Sequence, residues 1–372
     1  MNTFSLYIHI PFCKQKCHYC DFVSYAGKED LIESYVEALI REIQSLISNI
    51  QFPISTIYIG GGTPTLLEPK YYDKIINTII CHLSLDICHS EVSIEANPGT
   101  VDLAKLKALR SMGINRLSLG AQSFNDDMLK MLGRIHTAKE IYEAIDNARK
   151  AGFDNINLDL IFALPNQTLD QWKADLSEAI HLKSNHLSIY NLQIEENTPF
   201  QRNGYCKLSD EEELAMYEYA IEELTANGLL QYEISNFAVP GFECKHNLNY
   251  WLNGNYIGIG AGAHSHWNGK RWANTDSVEA YIGGGCVGRI GERTTSDVLR
   301  PTPDDSQNAP DQRDTLIMGL RLLDGIPRSK FNGFEKEVAD LITEGLLEQA
   351  NDNYRLTRHG LYLANEVFRR FV

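Results

Sequence analysis

Hydrophobic and polar positions follow two different periods along the first two thirds of the chain. Six short runs rich in β-branched and aromatic residues have the composition of strands, and each is bounded by turn residues or by a helical pattern. These runs are Ser5–Ile10, Ser55–Ile59, Glu91–Ala96, Arg116–Leu119, Asn155–Ile161 and His186–Leu192. Longer stretches with apolar residues at helical spacing lie between them, among them residues 30–47, 101–112 and 138–151. Strands that alternate with helices predict an α/β fold with a parallel sheet.

The polar residues near the strand ends favour a curled sheet over an open one. The first strand leads into a cysteine-rich loop, the second into a run of three glycines, and the later strands lead to or carry Glu95, Gln122, Asp159 and Gln193. Groups at all six strand ends converge only when the sheet curls, and barrels place their chemistry at the carboxyl ends of the strands. An open sheet would gather its site at one switch point instead. We therefore expect residues 1–235 to form a partial (β/α)6 barrel of the TIM type.

The remaining chain divides into three predicted segments. Residues 236–292 form an extension rich in glycine, asparagine, histidine and aromatic residues, a composition that suits a ligand-lining surface. Residues 293–312 are polar, contain three prolines and have the composition of a linker. Residues 313–372 show helical patterns and then a hairpin pattern with Asn351 at its turn, which predicts a winged-helix-like domain.

Composition and charge exclude several classes of protein. The chain has 372 residues and a formal net charge of −15, so a general nucleic-acid binder, which needs a basic surface, is not expected. The first residues lack the pattern of a signal peptide, and no apolar run reaches the roughly 18–20 residues of a membrane span. We expect a cytoplasmic protein, in which clustered thiols stay reduced and serve a metal or a catalytic site.

The most informative stretch is FCKQKCHYCDF at residues 12–22, where Cys13, Cys17 and Cys20 are spaced x3 and then x2. An iron–sulfur cubane usually takes four thiolates, so three of them would leave one iron open to an external ligand. A structural zinc site is the main alternative, but it needs a fourth ligand, and His18 is poorly placed because it adjoins Cys17. Three unrelated thiols remain a further alternative.

The same stretch resembles the C-x3-C-x2-C motif of radical S-adenosylmethionine (SAM) proteins, with Tyr19 as the aromatic residue before the third cysteine. The resemblance implies that three thiolates hold a [4Fe-4S] cluster and that SAM chelates the open iron through its amino and carboxylate groups. It also implies radical chemistry that begins with reductive cleavage of SAM. The cofactors would supply that chemistry, and the protein would bind and orient them.

A closer resemblance extends over residues 7–265. The segments YIHIPFC, YIGGGTPT, EANP, LSLGAQSF, LGRIH, NLDLIFALPNQT, YEISNFA and GIGAGAHS occur in this order and resemble oxygen-independent coproporphyrinogen dehydrogenase and its relatives. That resemblance implies a SAM site. Its expected residues are Tyr7, Tyr19, Gly61, Gly62, Thr63, Glu95, Gln122, Arg134, Asp159, Gln193 and His264.

Two features depart from the dehydrogenase. Its motif continues to a fourth cysteine, where this chain has Phe22, and the chain begins only twelve residues before Cys13, without the dehydrogenase's long N-terminal segment. Both features count against decarboxylation of coproporphyrinogen. They match a sister family, the HemW-type heme chaperones, which carry CDF after the third cysteine and an HNxxYW motif.

The HNxxYW motif corresponds to residues 246–251, HNLNYW. Histidine is a common axial ligand of heme iron, so the resemblance implies heme contact by His246, Tyr250 and Trp251. The alternative iron ligands are His264, His266 and Cys244.

Two functions follow from these resemblances. The first is a heme chaperone that binds heme and transfers it to heme-requiring acceptors such as respiratory proteins, and that carries a [4Fe-4S] cluster and SAM. The second is a radical SAM oxidoreductase that acts on coproporphyrinogen III or a related tetrapyrrole. The resemblance also suggests a homodimer and transient contact with a membrane, whereas nucleic acid is not an expected partner. Whether the chain is an enzyme stays open at this stage.

Overall fold

The computed structural model of the chain describes residues 3–47, 52–82, 90–284 and 312–372. Its described residues contain one sheet of eleven strands. In chain order the strands are β1 (Phe4–Ile10), β2 (Ile54–Gly61), β3 (Glu91–Ala96), β4 (Arg116–Gln122), β5 (Asn155–Phe162), β6 (His186–Asn191), β7 (Leu230–Glu233), β8 (Asn236–Ala238), β9 (Tyr256–Ile259), β10 (His264–Trp267) and β11 (Lys270–Ala273).

The order of strands across this sheet is β11-β10-β9-β1-β2-β3-β4-β5-β6-β8-β7. The six strands predicted from the sequence are β1 to β6, and each pairs in parallel with the next. The two outer strands are not paired with each other, so the barrel is partial. The predicted α/β fold with a partial barrel is therefore confirmed.

Helices fill the connections between the parallel strands and cover the outside of the sheet. They are α1 (Ile32–Ile47), α2 (Pro69–His82), α3 (Leu103–Ser111), α4 (Asp126–Met131), α5 (Ala138–Lys150), α6 (Leu169–His181), α7 (Pro199–Arg202) and α8 (Asp210–Ala226). In α1, Tyr35, Leu39 and Ile43 share one face and are buried in the main core. Capping boxes fix where α5, α6 and α8 begin.

Alternate residues of the barrel strands face its interior, and most of them are polar. On β2 these are Thr56, Tyr58 and Gly60, in order from the amino to the carboxyl end of the strand. The corresponding residues are Glu91, Ser93 and Glu95 on β3, Arg116, Ser118 and Gly120 on β4, Asn157 and Asp159 on β5, and His186, Ser188 and Tyr190 on β6. Buried polar groups cost free energy unless they are hydrogen-bonded, and many of these bond to one another across the strands.

The predicted extension, residues 236–292, belongs to the same sheet as far as it is described. β8 pairs antiparallel with β6 at one edge of the barrel, and β9 pairs in parallel with β1 at the other. The boundary expected after residue 235 therefore falls between two hydrogen-bonded strands, β7 and β8. Within this segment, α9 (Lys245–Trp251) contacts β2, and α10 (Val278–Ile282) packs against α1.

The chain ends in a small module with its own hydrophobic core. It consists of α11 (Gln312–Gly319), β12 (Ile326–Pro327), α12 (Glu335–Thr343), β13 (Leu347–Ala350), β14 (Asn353–Leu356), α13 (Arg358–Tyr362) and α14 (Ala364–Arg369), with the strand order β12-β14-β13. The β13–β14 hairpin turns at Asn351, as predicted for a winged-helix-like module. The predicted linker lies outside the described residues except for Gln312. Among the described residues, no helix is both long enough and apolar enough to cross a membrane.

Candidate functional site

The loop that follows β1 carries the three cysteines to the carboxyl ends of the strands. Phe12–Cys13 pairs with Tyr25–Ala26, which closes the loop at its base. The His18 backbone N–H donates to the Leu132 carbonyl at 2.9 Å, and Gln15 Nε2 donates to the Gly133 carbonyl at 3.1 Å. These bonds tie the cysteine loop to the turn that follows α4.

Each cysteine thiol lines one pocket and has its own polar neighbour. Thr63 Oγ1 lies 3.7 Å from Cys13 Sγ, and Arg134 Nη1 lies 3.4 Å from Cys17 Sγ. Burial raises the pKa of the Cys13 and Cys20 thiols. A nearby cation such as Arg134 favours the thiolate form that binds metals.

The glycine run after β2 brings backbone atoms close to the cysteine loop. Gly62 N–H donates to the Ile10 carbonyl at 2.9 Å, and Thr63 N–H donates to the Phe12 carbonyl at 2.8 Å. A Cβ atom on Gly62 would lie 2.7 Å from the Phe12 carbonyl oxygen and 2.9 Å from Cys13 Sγ. Only glycine fits at this position, because the backbone of Gly62 lies too close to the cysteine loop to carry a side chain.

Two carboxylates face the pocket. Glu95 accepts hydrogen bonds from Tyr58 Oη at 2.9 Å and from the Gly61 N–H at 3.1 Å. Burial, and secondly the negative charge of Asp159, raise the pKa of Glu95 to about 7. Asp159 accepts from Ser118 Oγ at 3.1 Å, and burial raises its pKa as well. Both groups are suited to accept hydrogen bonds from a polar, cationic ligand.

A bulge at the end of β4 aims Gln122 at the pocket. The pairing of β4 with β5 shifts register before Gln122, and this residue has φ = 67°, an uncommon value outside glycine. A Cβ atom on Gly120 would lie 2.9 Å from Gln122 Nε2 and 3.1 Å from Arg134 Nη2. Arg134 Nη2 donates to the Gly120 carbonyl at 2.6 Å, and Arg134 Nε is buried without a partner among the described residues.

The pocket brings together most of the residues predicted for the cluster and for SAM. Its volume is about 400 Å³, which is within the range of small-molecule sites. The predicted residues that line it are Cys13, Cys17, Tyr19, Cys20, Gly61, Gly62, Thr63, Glu95, Gln122, Arg134, Asp159 and Gln193. Gln193 lies at the exposed rim and accepts a hydrogen bond from Lys207 Nζ.

Two residues predicted for the SAM site do not line the pocket. Tyr7 lies beneath it, stacked on Tyr58 with ring centroids 6.3 Å apart, and its hydroxyl contacts His9 Nδ1 at 2.9 Å. His264 is exposed at the start of β10. Direct contact of these two residues with SAM therefore stays a prediction, since neither lies among the residues that line this pocket.

Several pocket residues were not predicted from the sequence. Tyr58 and Ser118 occupy inward positions one residue before the ends of their predicted strands, and the alternation of inward and outward residues was the signal that could have found them. Tyr190 follows the same alternation on β6. Phe22, which stands where the dehydrogenase has its fourth cysteine, is 65% exposed at the pocket rim.

The HNLNYW segment lies outside this pocket, at the opposite, amino ends of the strands. It forms α9, and the first N–H groups of that helix are held by Glu91, which accepts from Lys245 N at 3.1 Å and from His246 N at 3.2 Å. Arg116, which is 1% exposed, attracts Glu91 electrostatically. The helix therefore closes the end of the half-barrel opposite the cysteine loop.

His246 is fully buried, and both of its ring nitrogens are engaged. Nδ1 lies 2.8 Å from Thr56 Oγ1, and Nε2 lies 2.8 Å from Tyr250 Oη. Burial, and secondly the charge of Arg116, lower the pKa of His246 to about 3, so the ring is neutral. In this conformation neither nitrogen is free, so heme contact by His246 stays a prediction that requires the Tyr250 hydroxyl to leave Nε2.

Trp251, at the end of α9, contacts the C-terminal module. The Arg321 guanidinium lies 4.4 Å from the centroid of the Trp251 ring, and Arg321 Nη2 also pairs with the buried Glu233 at 3.3 Å. Arg271, on β11, pairs with Asp314 of α11 at 2.6 Å. The C-terminal module thus covers one side of the predicted heme segment.

The residues present fit an iron–sulfur cluster with SAM beside it. Three thiols line one pocket, a buried Arg134 Nε atom lacks a partner, and Gly62 leaves room next to Cys13. In the described part of the chain, no three His, Cys, Asp or Glu side chains are arranged to hold a single metal ion. Thiolates of a cubane bind separate irons, so they need not meet at one point.

Comparisons with known proteins agree with this geometry. The family model of the Radical SAM superfamily matches residues 7–179, and that of the HemN C-terminal domain matches residues 312–363. The heme chaperone HemW of Lactococcus lactis is 38% identical over 99% of this chain and 97% of that protein. The heme chaperone HemW of Escherichia coli is 36% identical over 99% of this chain and 98% of its own length.

A solved structure supports the fold. The coproporphyrinogen III oxidase HemN from Escherichia coli, described as a radical SAM enzyme, superposes with a TM-score of 0.82. The superposition covers 100% of this chain and 90% of that one, at 23% sequence identity. At this level of identity the likeness concerns the fold alone.

Proposed function

This chain belongs to the HemW family of heme chaperones within the radical SAM superfamily, and from that premise we propose that it binds heme and passes it to heme-requiring acceptor proteins. Full-length similarity to several heme chaperones supports the assignment. The structural observation that carries it is the hydrogen bonding of His246 in the HNLNYW segment, which prepares one ring nitrogen for a metal.

The tautomer of His246 follows from its neighbours. The Thr56 hydroxyl donates to Ser5 Oγ at 2.8 Å, so it accepts the hydrogen bond from His246 Nδ1–H. Nε2 then carries the lone pair and accepts from the Tyr250 hydroxyl. Metal-ligating histidines usually donate their second N–H to an oxygen, which fixes the ring and raises its basicity. Thr56 supplies that support before any heme arrives.

Heme capture at His246 then requires one local rearrangement. The Tyr250 hydroxyl must leave Nε2, and α9 must move enough to admit a porphyrin. Tyr250 packs edge-to-face against Tyr256 with centroids 4.5 Å apart, so aromatic rings already line the space beside the histidine. The contacts of Trp251 with Arg321 hold the helix closed and are the ones to break on opening.

The pocket at the opposite end would hold the cluster and SAM. Cys13, Cys17 and Cys20 would bind three irons, and Glu95 and Arg134 would contact polar groups of SAM. When bound, these groups supply one-electron redox chemistry. Within this proposal the chain's own residues bind and orient the cofactors and keep the thiolates beside a cation.

The alternative function is a radical SAM oxidoreductase that acts on a tetrapyrrole. The pocket residues expected for SAM are present, which keeps this reading testable. Phe22 at the pocket rim counts against the dehydrogenase reaction, because an exposed phenyl ring cannot replace a thiol there. The curated relatives also carry the chaperone name. We therefore place this function second.

Further aspects of the proposal concern partners and location. We propose a cytoplasmic protein, where the cluster thiols stay reduced, and respiratory proteins as acceptors. Dimerisation that depends on the cluster and transient contact with membranes belong to the same proposal. Light scattering with and without the cluster tests the dimer, and fractionation of cells with and without heme supply tests membrane contact. A wholly soluble distribution in both cultures would remove the membrane proposal.

The decisive experiment is a hemin titration of the anaerobically purified protein with its cluster rebuilt. We expect a saturable Soret band at about one heme per chain, weakened strongly in His246→Ala. His359→Ala, at an exposed position of the C-terminal module, is the matched control and should bind as the wild type does. Mixing the loaded protein with an apo heme protein should then transfer the band.

Each other outcome has a defined meaning. Equal saturation in His246→Ala would keep the chaperone function but move the iron ligand, with His264 tested next. Absence of saturable binding would contradict the chaperone function. SAM cleavage with coproporphyrinogen III would then test the oxidoreductase.

A further inference from the structure

The side chain of Tyr58 contacts both ends of the half-barrel. Its ring lies 5.2 Å from the His246 ring, at an interplanar angle of 32°. Its hydroxyl donates to Glu95 Oε1 at 2.9 Å, in the pocket at the other end. Tyr58, the first residue of the YIGGGTPT segment, therefore contacts both the predicted heme segment and the predicted SAM site.

Tyr58 is held firmly enough to transmit a displacement. Its ring stacks on Tyr7 at an interplanar angle of 25°. On the pocket side, a Cβ atom on Gly60 would lie 3.0 Å from the Tyr58 ring and 3.1 Å from the Glu95 carboxylate. Packed side chains with few alternative positions pass on small shifts that a loose side chain would absorb.

The neighbouring strand offers no equivalent route. Glu91 on β3 holds the N–H groups of α9, and Glu95 on the same strand lies in the pocket. Ser93 lies between them, and its buried Oγ has no hydrogen-bond partner among the described residues. The polar chain along β3 is therefore interrupted, whereas the contacts through Tyr58 are continuous.

The described conformation also indicates whether binding at one end of the half-barrel favours or opposes binding at the other. It combines a Glu95 carboxylate oriented by Tyr58 with a His246 Nε2 occupied by Tyr250. The conformation in which the pocket is organised is thus the one in which the heme segment is closed. A ligand that opens α9 must disturb the His246–Tyr58 packing and, with it, the orientation of Glu95.

We propose that Tyr58 is a positioning residue that makes heme binding at α9 and SAM binding in the pocket mutually antagonistic. This regulation rests on the proposed function, since it needs heme at α9. Linkage requires that heme weakens SAM binding by the same factor by which SAM weakens heme binding. SAM arriving at the pocket would then favour release of heme to an acceptor.

The test measures SAM binding by calorimetry on the cluster-loaded protein, with and without saturating hemin. In the wild type, hemin should raise the Kd for SAM by roughly fivefold or more. Tyr58→Phe keeps the ring but loses the bond to Glu95, so its Kd without hemin should rise about threefold to tenfold. Hemin should then change that Kd little further. Tyr190→Phe, at another pocket tyrosine, should keep the wild-type ratio of the two Kd values.

The reciprocal titration provides an internal check, because the Kd for hemin must change by the same factor when SAM is added. In Gly60→Ala the added methyl group would displace the same Tyr58–Glu95 contact. This variant should therefore also reduce the ratio of the SAM Kd with hemin to that without it, which gives a second, independent variant. A wild-type ratio near one, or a ratio below one, would overturn the proposal. So would an unchanged ratio in Tyr58→Phe. Failure of hemin to bind at all would instead overturn the proposed function, and the hemin titration shows that first.

Discussion

At the carboxyl ends of the strands, polar groups face an open pocket, and Arg134 Nε has no hydrogen-bond partner in the part of the chain that the structure describes. At the amino ends, α9 closes the barrel, and His246 has both ring nitrogens bonded. The first arrangement is a preformed site that a small ligand can enter directly. The second must open before it can bind anything. Similar polar residues along the same strands thus serve binding at one end and closure at the other.

Removal of one cluster cysteine tests the open end most severely. Cys17→Ala deletes the thiol that lies beside Arg134, and two thiols should not hold a cubane stably. We expect nearly complete loss of the visible absorption of the cluster and of bound iron, measured after anaerobic reconstitution. Cys206→Ala, at an exposed cysteine away from the pocket, should keep wild-type iron content. Equal iron content in the two variants would contradict the assignment of the cluster loop.

The closed end should respond most strongly to loss of Glu91. Glu91→Ala removes the carboxylate that accepts from the first N–H groups of α9 and one of the negative charges that act on the buried Arg116. Leaving a buried N–H group without its acceptor costs about 1–3 kcal/mol. Urea denaturation measures the free energy of unfolding. Glu366→Ala, at an exposed glutamate, should change it by less than about 0.5 kcal/mol.

The sequence predicted the first of these regions far better than the second. Strand periodicity predicted that the cysteines and Glu95 share one site, because the carboxyl ends of neighbouring parallel strands lie at one edge of the sheet. Arg134, in the turn after α4, was predicted by the family resemblance alone. The closed end depends on pairing over long distances in the chain. Thr56 and His246 are 190 residues apart, and no local pattern indicates their hydrogen bond. The HNLNYW motif supplied residue types suited to heme, but not the burial that engages both nitrogens.

The sequence also does not predict how far along the barrel axis a side chain lies. Alternation along β1 and β2 indicates that Tyr7 and Tyr58 face the barrel interior. It does not indicate which of them reaches the pocket, because that depends on the register between strands. The polar extension was likewise read as a separate segment. Its strands β8 and β9 join opposite edges of the barrel, a pairing that only the folded chain reveals.

Low pH should destabilise the protein through the buried histidine of the closed end. Burial lowers the pKa of His246 to about 3, well below its unfolded value near 6.5. The unfolded chain therefore binds a proton at His246 that the native state does not bind, and the free energy of unfolding falls as the pH drops below about 6.5. This group alone should cost about 2 kcal/mol between pH 7 and pH 5. His136 and His186, whose pKa values are also lowered by burial, act in the same direction.

The substitution His246→Gln isolates this effect. Glutamine cannot take up the proton, so the variant should lose less stability than the wild type between pH 7 and pH 5, whatever its stability at pH 7. Urea denaturation at both pH values gives the two slopes. His359→Gln, at an exposed histidine, should leave the wild-type slope unchanged. A variant slope equal to that of the wild type would contradict a buried neutral imidazole.

At the open end the pH dependence of stability has the opposite sign and is smaller, so that a rise in pH destabilises the protein. Burial raises the pKa of Glu95 to about 7, above its unfolded value, so the native state holds its proton longer than the unfolded chain does. Stability is therefore lost as the pH rises through about 4.5 to 7. Because Glu95 lines a pocket that water reaches, we expect a discounted effect of about 1 kcal/mol.

Glu95→Gln tests this in the protein without SAM. The amide cannot ionise, so the variant should gain stability relative to the wild type at pH 8 and much less at pH 5. Urea denaturation at the two pH values measures the difference, with Glu37→Gln as a control at an exposed carboxylate. A gain of equal size at both pH values would mean that packing and not ionisation is responsible. A gain confined to pH 8 would mean that the ionised Glu95 carboxylate destabilises the protein without SAM, a cost that a cationic ligand would remove on binding. At the closed end, the buried polar groups are instead stabilised by hydrogen bonds to one another.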